Sequence, residues 1–217
     1  MHSFLFGKSE NGLAIEAFRF GGSGKKILIL GGVHGDEVEG VAVSRALVQK
    51  FQENFSLELQ VTIVPNFNID GVLAGTRHNI NGVDLNRNLP TRDWSKEAFN
   101  ERYYPGEEPN SQIENQQLVQ YLESEKPNFI FSLHSFSKFL LNVNGNCEPI
   151  STIVNELTGY PIEESMGYPT PGCLGTYTGL ERNIPTLTYE LHRGEPIKKL
   201  IEVHVPAIIK ALEAYTN

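Results

Sequence analysis

The segment Ile27-Leu28-Ile29-Leu30-Gly31-Gly32-Val33-His34-Gly35-Asp36-Glu37 decides the fold. Four consecutive branched apolar residues that run into two glycines are typical of a buried strand ending in a tight turn. Apolar residues with helical spacing then follow over residues 37–51. The segment therefore predicts a strand, a turn that carries polar side chains, and a helix.

The rest of the chain continues this alternation of strands and helices. Strands are predicted at residues 57–64, 129–133, 139–143 and 186–191, helices at 112–122, 150–157 and 196–215, a long functional loop at 65–110 and a mobile loop at 167–179. Alternating strands and helices indicate an α/β fold, with helices on both faces of a mostly parallel, mixed sheet in three α/β/α layers. We expect residues 1–217 to form a single domain.

The overall composition excludes several classes of protein. The net charge of −8 argues against a nucleic-acid binder, which usually presents a basic face. No apolar run approaches the roughly 18 residues of a membrane span, so no membrane partner is expected. Two cysteines, together with an N-terminus unlike a secretory signal, favour free thiols in a reducing, cytoplasmic setting. The sequence leaves the oligomeric state open.

Polar candidates lie near or beyond the carboxyl ends of the predicted strands. They are His34, Arg77, Asn86, Arg87, His134 and Glu190. The carboxyl ends of parallel strands meet at one edge of a sheet, where ligands of such folds bind. We therefore expect all six side chains to converge there.

Three of these residues form a candidate zinc site. His34 and Glu37 are three positions apart at a helix start, and His134 supplies a second imidazole. Catalytic zinc uses three such protein ligands and keeps an open position for water. Asp36 is a rival ligand that we expect to point elsewhere, and Asp84 is a candidate to orient a ligand histidine. The sequence predicts one zinc ion per chain.

Several motifs resemble those of the zinc carboxypeptidase family. They are residues 34–37 (His-Gly-Asp-Glu), 68–71 (Asn-Ile-Asp-Gly), 82–88 (Gly-Val-Asp-Leu-Asn-Arg-Asn), 132–135 (Ser-Leu-His-Ser) and 188–190 (Thr-Tyr-Glu). The resemblance spans nearly the whole chain. It implies a zinc-carboxypeptidase-like fold and a zinc-dependent hydrolase.

Two loops narrow the resemblance within that family. Residues 105–109 and 167–172 are similar to those of the murein peptide amidases, which cleave the amide between γ-D-glutamate and meso-diaminopimelate. Cys173 departs from the serine expected at its position. The resemblance implies a small muropeptide substrate with a terminal carboxylate.

The resemblance also implies roles for the remaining candidates. Glu190 would take a proton from the attacking water and pass it to the leaving amine. Arg77 would stabilise the oxyanion. Asn86 and Arg87 would hold the terminal carboxylate, for which the planar guanidinium is suited. Tyr168 would close over the substrate.

Strand alternation adds one further candidate. His192 lies two residues after Glu190, so both side chains are predicted on one face, with His192 in the substrate cleft. Three other functions stay open: a carboxypeptidase of different specificity, an acyl-amino-acid deacylase, and a non-catalytic binding module. A binding module would be favoured if Glu190 or a metal ligand were missing, but all of these residues are present.

Overall fold

The computed structural model describes residues 1–216. Within this range eight strands form one sheet: β1 (His2–Lys8), β2 (Ala14–Phe20), β3 (Lys25–Gly31), β4 (Leu59–Val64), β5 (Phe129–Phe136), β6 (Leu140–Asn144), β7 (Ile162–Glu163) and β8 (Thr186–His192). The α-helices are α1 (Val38–Glu53), α2 (Ile69–Ala74), α3 (Ile113–Glu125), α4 (Ile150–Thr158) and α5 (Ile197–Tyr215).

The sheet is mixed, in the order β1-β2-β4-β3-β5-β8-β6-β7. Its centre is parallel, because β3 pairs with β4 and β5, and β5 pairs with β8, in parallel register. Antiparallel pairs join β1 to β2, β2 to β4 and β6 to β8. The predicted mostly parallel, mixed sheet is confirmed; the N-terminal hairpin β1–β2 was not predicted.

Strand β3 shows why helices cover both faces of the sheet. Ile27 and Ile29 pack in one apolar cluster with α1, α4 and α5, whereas Leu28 and Leu30 pack in a second cluster with α3 and the long segment after β4. Side chains of a strand alternate between its faces, so a strand that is apolar at every position needs a cover on each side. The three-layer α/β/α fold is confirmed.

The central strands bring the polar candidates to one edge. Leu133, immediately before His134, pairs with Gly31 at the end of β3. His134 in turn pairs with Glu190 of β8. The sheet thus supports the expected convergence, and the long segment after β4 lies over the same edge.

The segment predicted as a mobile loop at residues 167–179 contains ordered structure. Gly175–Leu180 form one π-helical turn with Tyr177 and Thr178 buried. The Thr178 hydroxyl anchors this turn, because it contacts Leu174 O at 2.6 Å and Thr186 Oγ1 at 2.6 Å. The loop prediction is therefore wrong for its last five residues, where contact with β8 stabilises a turn.

Two further observations concern the whole chain. Cys147 and Cys173 are both buried and free, as predicted. Among residues 1–216, no helix has the length and apolar character needed to cross a membrane. A single domain over residues 1–217 stays a prediction.

Candidate metal centre and substrate cleft

The side chains of His34, Glu37 and His134 meet in a buried cluster. Each offers one ligand atom, and these atoms all lie within 4.8 Å of one another. The two Nδ1 atoms each lie 2.9 Å from a Glu37 oxygen and 3.1 Å from each other. Two imidazoles and a carboxylate that converge in this way are arranged to bind a metal ion.

Local backbone geometry explains how residues 31–37 reach this position. Gly32 has a φ of +67°, which turns the chain sharply out of β3. At Gly35 a Cβ would lie only 2.0 Å from the Gly71 carbonyl carbon, so a side chain there would push the segment away from α2. Glu37 then stands immediately before α1. Glycine at these two positions lets both ligands face β5.

Neighbouring polar groups hold both imidazoles in the tautomer that a metal requires. His34 Nε2 donates to Asp84 Oδ1 at 3.0 Å, and His134 Nε2 lies 2.9 Å from Ser132 Oγ. With the Nε2 proton of His34 held by Asp84, its Nδ1 lone pair faces the centre, and His134 Nδ1 faces the centre in the tautomer whose Nε2 donates to Ser132. Although burial alone raises the pKa of Asp84, His34 and Arg77 hold it well below its ordinary value. The predicted orienting contact from Asp84 is present.

The third ligand, Glu37, is held as an anion. Burial raises its pKa, but the two imidazoles act in the opposite direction and leave it well below the ordinary value. Asp36, the rival ligand, points away and binds Arg193 through Oδ2 at 2.7 Å. The donor set of Glu37, His34 and His134 is thus nitrogen, nitrogen and carboxylate oxygen, which fits zinc.

Glu190 lies beside this centre on β8. Its side chain is buried, and burial raises its pKa to about 7, with His134 lowering it and Glu37 raising it. A carboxyl group with a pKa near neutrality can both accept and release a proton in the same cycle. The register pairs Glu190 directly with His134, so the carboxyl group lies next to the metal ligands.

Arg77 and Asp84 form a buried ion pair beside Glu37. Arg77 donates to Asp84 Oδ2 from Nε at 2.9 Å and from Nη2 at 2.8 Å. Its Nη1 lies 3.4 Å from Glu37 Oε1. The pair fixes the guanidinium and aims its remaining amino group toward the metal centre.

Asn86 and Arg87 lie in the 3-10 turn Leu85–Arg87, which Asp84 caps by accepting from Asn86 N at 2.9 Å. Asn86 Oδ1 accepts from Leu174 N at 2.9 Å, so its amide nitrogen remains to donate. The Arg87 guanidinium lies over the Tyr103 ring at 5.2 Å. Both side chains line the cleft that opens from the metal centre.

The cleft contains most of the predicted site residues. Those that line it are His34, Glu37, Arg77, Asn86, Arg87, Tyr168 and Glu190, and His134 lies directly behind as the third ligand. The Tyr168 ring packs near the Tyr103 ring, with centroids 6.0 Å apart. Burial raises the pKa of the Tyr168 hydroxyl, which keeps it protonated as a donor.

His192 is the predicted residue that the structure does not bring into the cleft. It is the last residue of β8, and its ring packs on Phe139 at 5.2 Å and contacts Glu195 at 3.2 Å. It lines a separate depression with Tyr160 and His204. The alternation is valid along the strand, but at its end these local contacts decide where the ring lies.

Several residues of the cleft were not found from the sequence. They are Arg102, Tyr103, Asn142, Thr188 and Arg193. Alternation could have found Thr188, which lies two residues before Glu190. Tyr103 has no such signal, because it lies in a long segment whose path depends on tertiary contacts.

Two imidazoles and one carboxylate, with a general-base candidate beside them and a polar cleft in front, define a metallohydrolase. Residues 1–194 match the zinc carboxypeptidase family. The chain belongs to this family and is a zinc-dependent hydrolase of the carboxypeptidase type, which confirms the resemblance, the fold and the metal.

Two murein peptide amidases are similar to this chain in sequence. Murein peptide amidase A of Vibrio campbellii is 28% identical over 204 residues, which cover 88% of this chain and 79% of that protein. Murein peptide amidase A of Escherichia coli K12 is 29% identical over 174 residues, which cover 75% and 69% respectively.

Solved structures show the same fold. The murein-tripeptide amidase of Escherichia coli O157 superposes with a TM-score of 0.82 at 24% identity, over 97% of this chain and 91% of that one. Bovine thrombin-activatable fibrinolysis inhibitor has a TM-score of 0.80 at 19% identity, over 99% and 89%.

Proposed function

We propose that this chain is a zinc-dependent amidase that hydrolyses the γ-D-glutamyl–meso-diaminopimelate amide of murein peptides. The observation that carries the proposal is a single cleft that contains both the metal ligands and the Asn86–Arg87 pair. A substrate with its terminal carboxylate on Arg87 presents its last amide bond to the metal centre. The named activity of the sequence relatives supports the same substrate class.

The polar lining of the cleft favours diaminopimelate over an apolar residue. Asn142 and Thr188 are cross-strand neighbours on β6 and β8, and both line the cleft with Thr170 and Cys173. Burial of an aromatic or aliphatic side chain against amide and hydroxyl groups would leave them without hydrogen-bond partners. A side chain that carries an amino and a carboxylate group would instead satisfy them.

Each catalytic residue has a role that its position supports. His34, Glu37 and His134 would hold the zinc ion, which would supply a Lewis acid to lower the pKa of water and polarise the scissile carbonyl. Glu190 accepts a proton from the attacking water and delivers it to the leaving amine. Arg77 donates from Nη1 to the oxyanion that develops at the carbonyl oxygen.

The substrate is held by further side chains. Arg87 and Asn86 donate to the terminal carboxylate, with the Arg87 guanidinium supported by Tyr103. Tyr168 closes over the substrate and donates from its hydroxyl. We include a cytoplasmic location and a role in recycling cell-wall peptides in this proposal, and the two free thiols agree with a reducing compartment.

The test is mass spectrometry of L-Ala-γ-D-Glu-meso-diaminopimelate incubated with zinc-loaded protein. We expect wild type to release free diaminopimelate and the Glu190→Gln variant to release none, although it still binds zinc. An intact tripeptide, together with hydrolysis of ordinary C-terminal peptides, would favour a carboxypeptidase of other specificity. Hydrolysis of N-acyl amino acids alone would favour a deacylase, and no turnover of any substrate would favour a binding module.

A further inference from the structure

Two arginines line the cleft without a role in the reaction described above. Arg193 follows the end of β8, and Arg102 lies in the 3-10 turn Glu101–Tyr103. Both guanidinium groups contact Asp36: Arg193 Nη2 lies 2.7 Å from Oδ2, and Arg102 Nη2 lies 3.5 Å from the same oxygen. Asp36 is thus the carboxylate that both guanidinium groups share.

The position of Arg193 is fixed by its surroundings. Its backbone N–H donates to Phe136 O at 3.1 Å, and Nη2 also donates to Asp36 O at 2.8 Å. Arg193 lines the same cleft as the metal ligands His34 and Glu37. Its side chain is 33% exposed, and its Nε and Nη1 are not used by Asp36.

This pair is separate from the carboxylate clamp. Asn86 accepts from Leu174 N, and Arg87 donates to Asn86 O. Arg193 and Arg102 instead contact Asp36, two residues before α1. The two pairs share no hydrogen-bond partner. The cleft therefore contains two separate groups of arginines, and a peptide with one terminal carboxylate uses only the first.

A γ-linked glutamyl residue carries a second anion, its free α-carboxylate, that Arg193 and Arg102 could bind. Its free α-carboxylate carbon lies four C–C bonds from the scissile carbonyl carbon, or about 5 Å when extended. An α-linked peptide has an amide in the corresponding region of its backbone and no such charge. The second anion would thus distinguish a γ-glutamyl substrate from an ordinary peptide.

We propose that Arg193, with Arg102, forms a second anion site that binds the α-carboxylate of the γ-glutamyl residue on the amino side of the scissile bond. This inference rests on the proposed function and adds the reason for γ-glutamyl specificity. A charge-assisted hydrogen bond from a fixed guanidinium would supply the selectivity.

The test compares two substrates that differ only in this charge: L-Ala-γ-D-Glu-meso-diaminopimelate and its isoglutaminyl analogue, in which the α-carboxylate is a carboxamide. We expect wild type to prefer the carboxylate by roughly 10- to 100-fold in kcat/KM. Arg193→Gln should bring this ratio close to one, Arg193→Lys should restore part of it, and Arg102→Gln should lower it less. Arg45→Gln, on the exposed side of α1, should keep the wild-type ratio.

A binding measurement separates this site from the reaction. In the Glu190→Gln background, calorimetric dissociation constants for the two peptides should show the same preference, and addition of Arg193→Gln should abolish it. If wild type cleaves both peptides equally well, or if Arg193→Gln leaves the ratio unchanged, the anion site is refuted while the amidase function stands. If wild type cleaves neither peptide, the proposed function fails, and equal dissociation constants refute the anion site independently.

Discussion

Among single residues, Asp84 connects the metal ligand His34 to Arg77, the residue assigned to the oxyanion. It is fully buried and accepts hydrogen bonds from both His34 and Arg77. Removal of its charge would release the His34 ring and leave the Arg77 guanidinium buried without its partner. Asp84 therefore positions two groups without touching the substrate.

We predict that Asp84→Asn weakens zinc binding by roughly 10- to 100-fold, because an amide holds the Nε2 proton of His34 less strongly than a carboxylate. Loss of the buried ion pair should also lower the free energy of unfolding by about 3 kcal/mol or more. Chelator competition and urea unfolding measure the two effects. Asp70→Asn is the matched control, a buried acid away from the metal, and should keep the wild-type zinc affinity; an equal loss there would contradict the role of Asp84.

His204 gives a prediction about pH. The Tyr189 hydroxyl lies 2.5 Å from His204 Nδ1, and burial lowers the His204 pKa to about 4. The folded protein therefore keeps this imidazole neutral, while the unfolded chain takes up a proton below about pH 6.5. Stability from this group is fully present above pH 6.5 and is lost progressively as the pH falls toward 4.

Between pH 7 and pH 5 this single group should cost about 2 kcal/mol of unfolding free energy. His204→Gln keeps an acceptor for Tyr189 but does not titrate, so its loss over the same interval should be smaller by that amount. Urea unfolding of the zinc-loaded proteins at both pH values measures the difference. His2→Gln, on the exposed start of β1, should behave as wild type; identical pH dependence of the His204 variant would refute the assignment.

At the element scale, the contact between α1 and β5 sets the distance between ligands. A Cβ on Gly40 would lie 2.4 Å from Leu133 O, the residue before His134. The helix that follows Glu37 thus packs against the strand that carries His134 with no room for a side chain. Any shift of α1 away from β5 would open the metal centre.

Gly40→Ala should therefore destabilise the fold by roughly 1–3 kcal/mol from overpacking. This loss should appear even though alanine favours a helix over glycine by about 1 kcal/mol. The substitution should also weaken zinc binding, because Glu37 moves with the helix. Gly22→Ala is the control: no atom lies within 4 Å of its Cβ position, and the change should stay within about 0.5 kcal/mol. Unchanged stability and zinc affinity in Gly40→Ala would show that α1 does not set the ligand spacing.

The strands differ in how well the sequence predicts them. Strand β3 contains a continuous apolar run, and β4, β5 and β8 are rich in apolar and β-branched residues. Local pattern alone therefore located these strands and the polar residues near their ends. The hairpin β1–β2 lies at the sheet edge, and its alternation is weak where β1 is half exposed. Arg193 and Tyr103 could not be placed, because pairing with Asp36 and packing on Arg87 join segments that only the folded chain brings together.

At the scale of the whole molecule, zinc would connect distant parts of the chain. Glu37 and His134 are 97 positions apart in sequence, and Asp84 joins the long segment after β4 to the same centre. An ion held by the folded chain and not by the unfolded one stabilises the fold by mass action. The metal is therefore expected to support the fold as well as the reaction.

With free zinc 1,000-fold above its Kd, stabilisation should reach about 4 kcal/mol, which corresponds to a rise in Tm of roughly 8–16 °C for a chain of this size. Calorimetric scans with zinc and with chelator measure this rise. Glu37→Gln should lose most of it, because one of three ligands is weakened, whereas Glu190→Gln should keep it, because Glu190 is assigned to the proton and not to the ion. An equal zinc-dependent rise in Tm in the two variants would refute that division of roles. A metal ligand contributes to zinc binding, whereas a general base does not, even though both are needed for turnover.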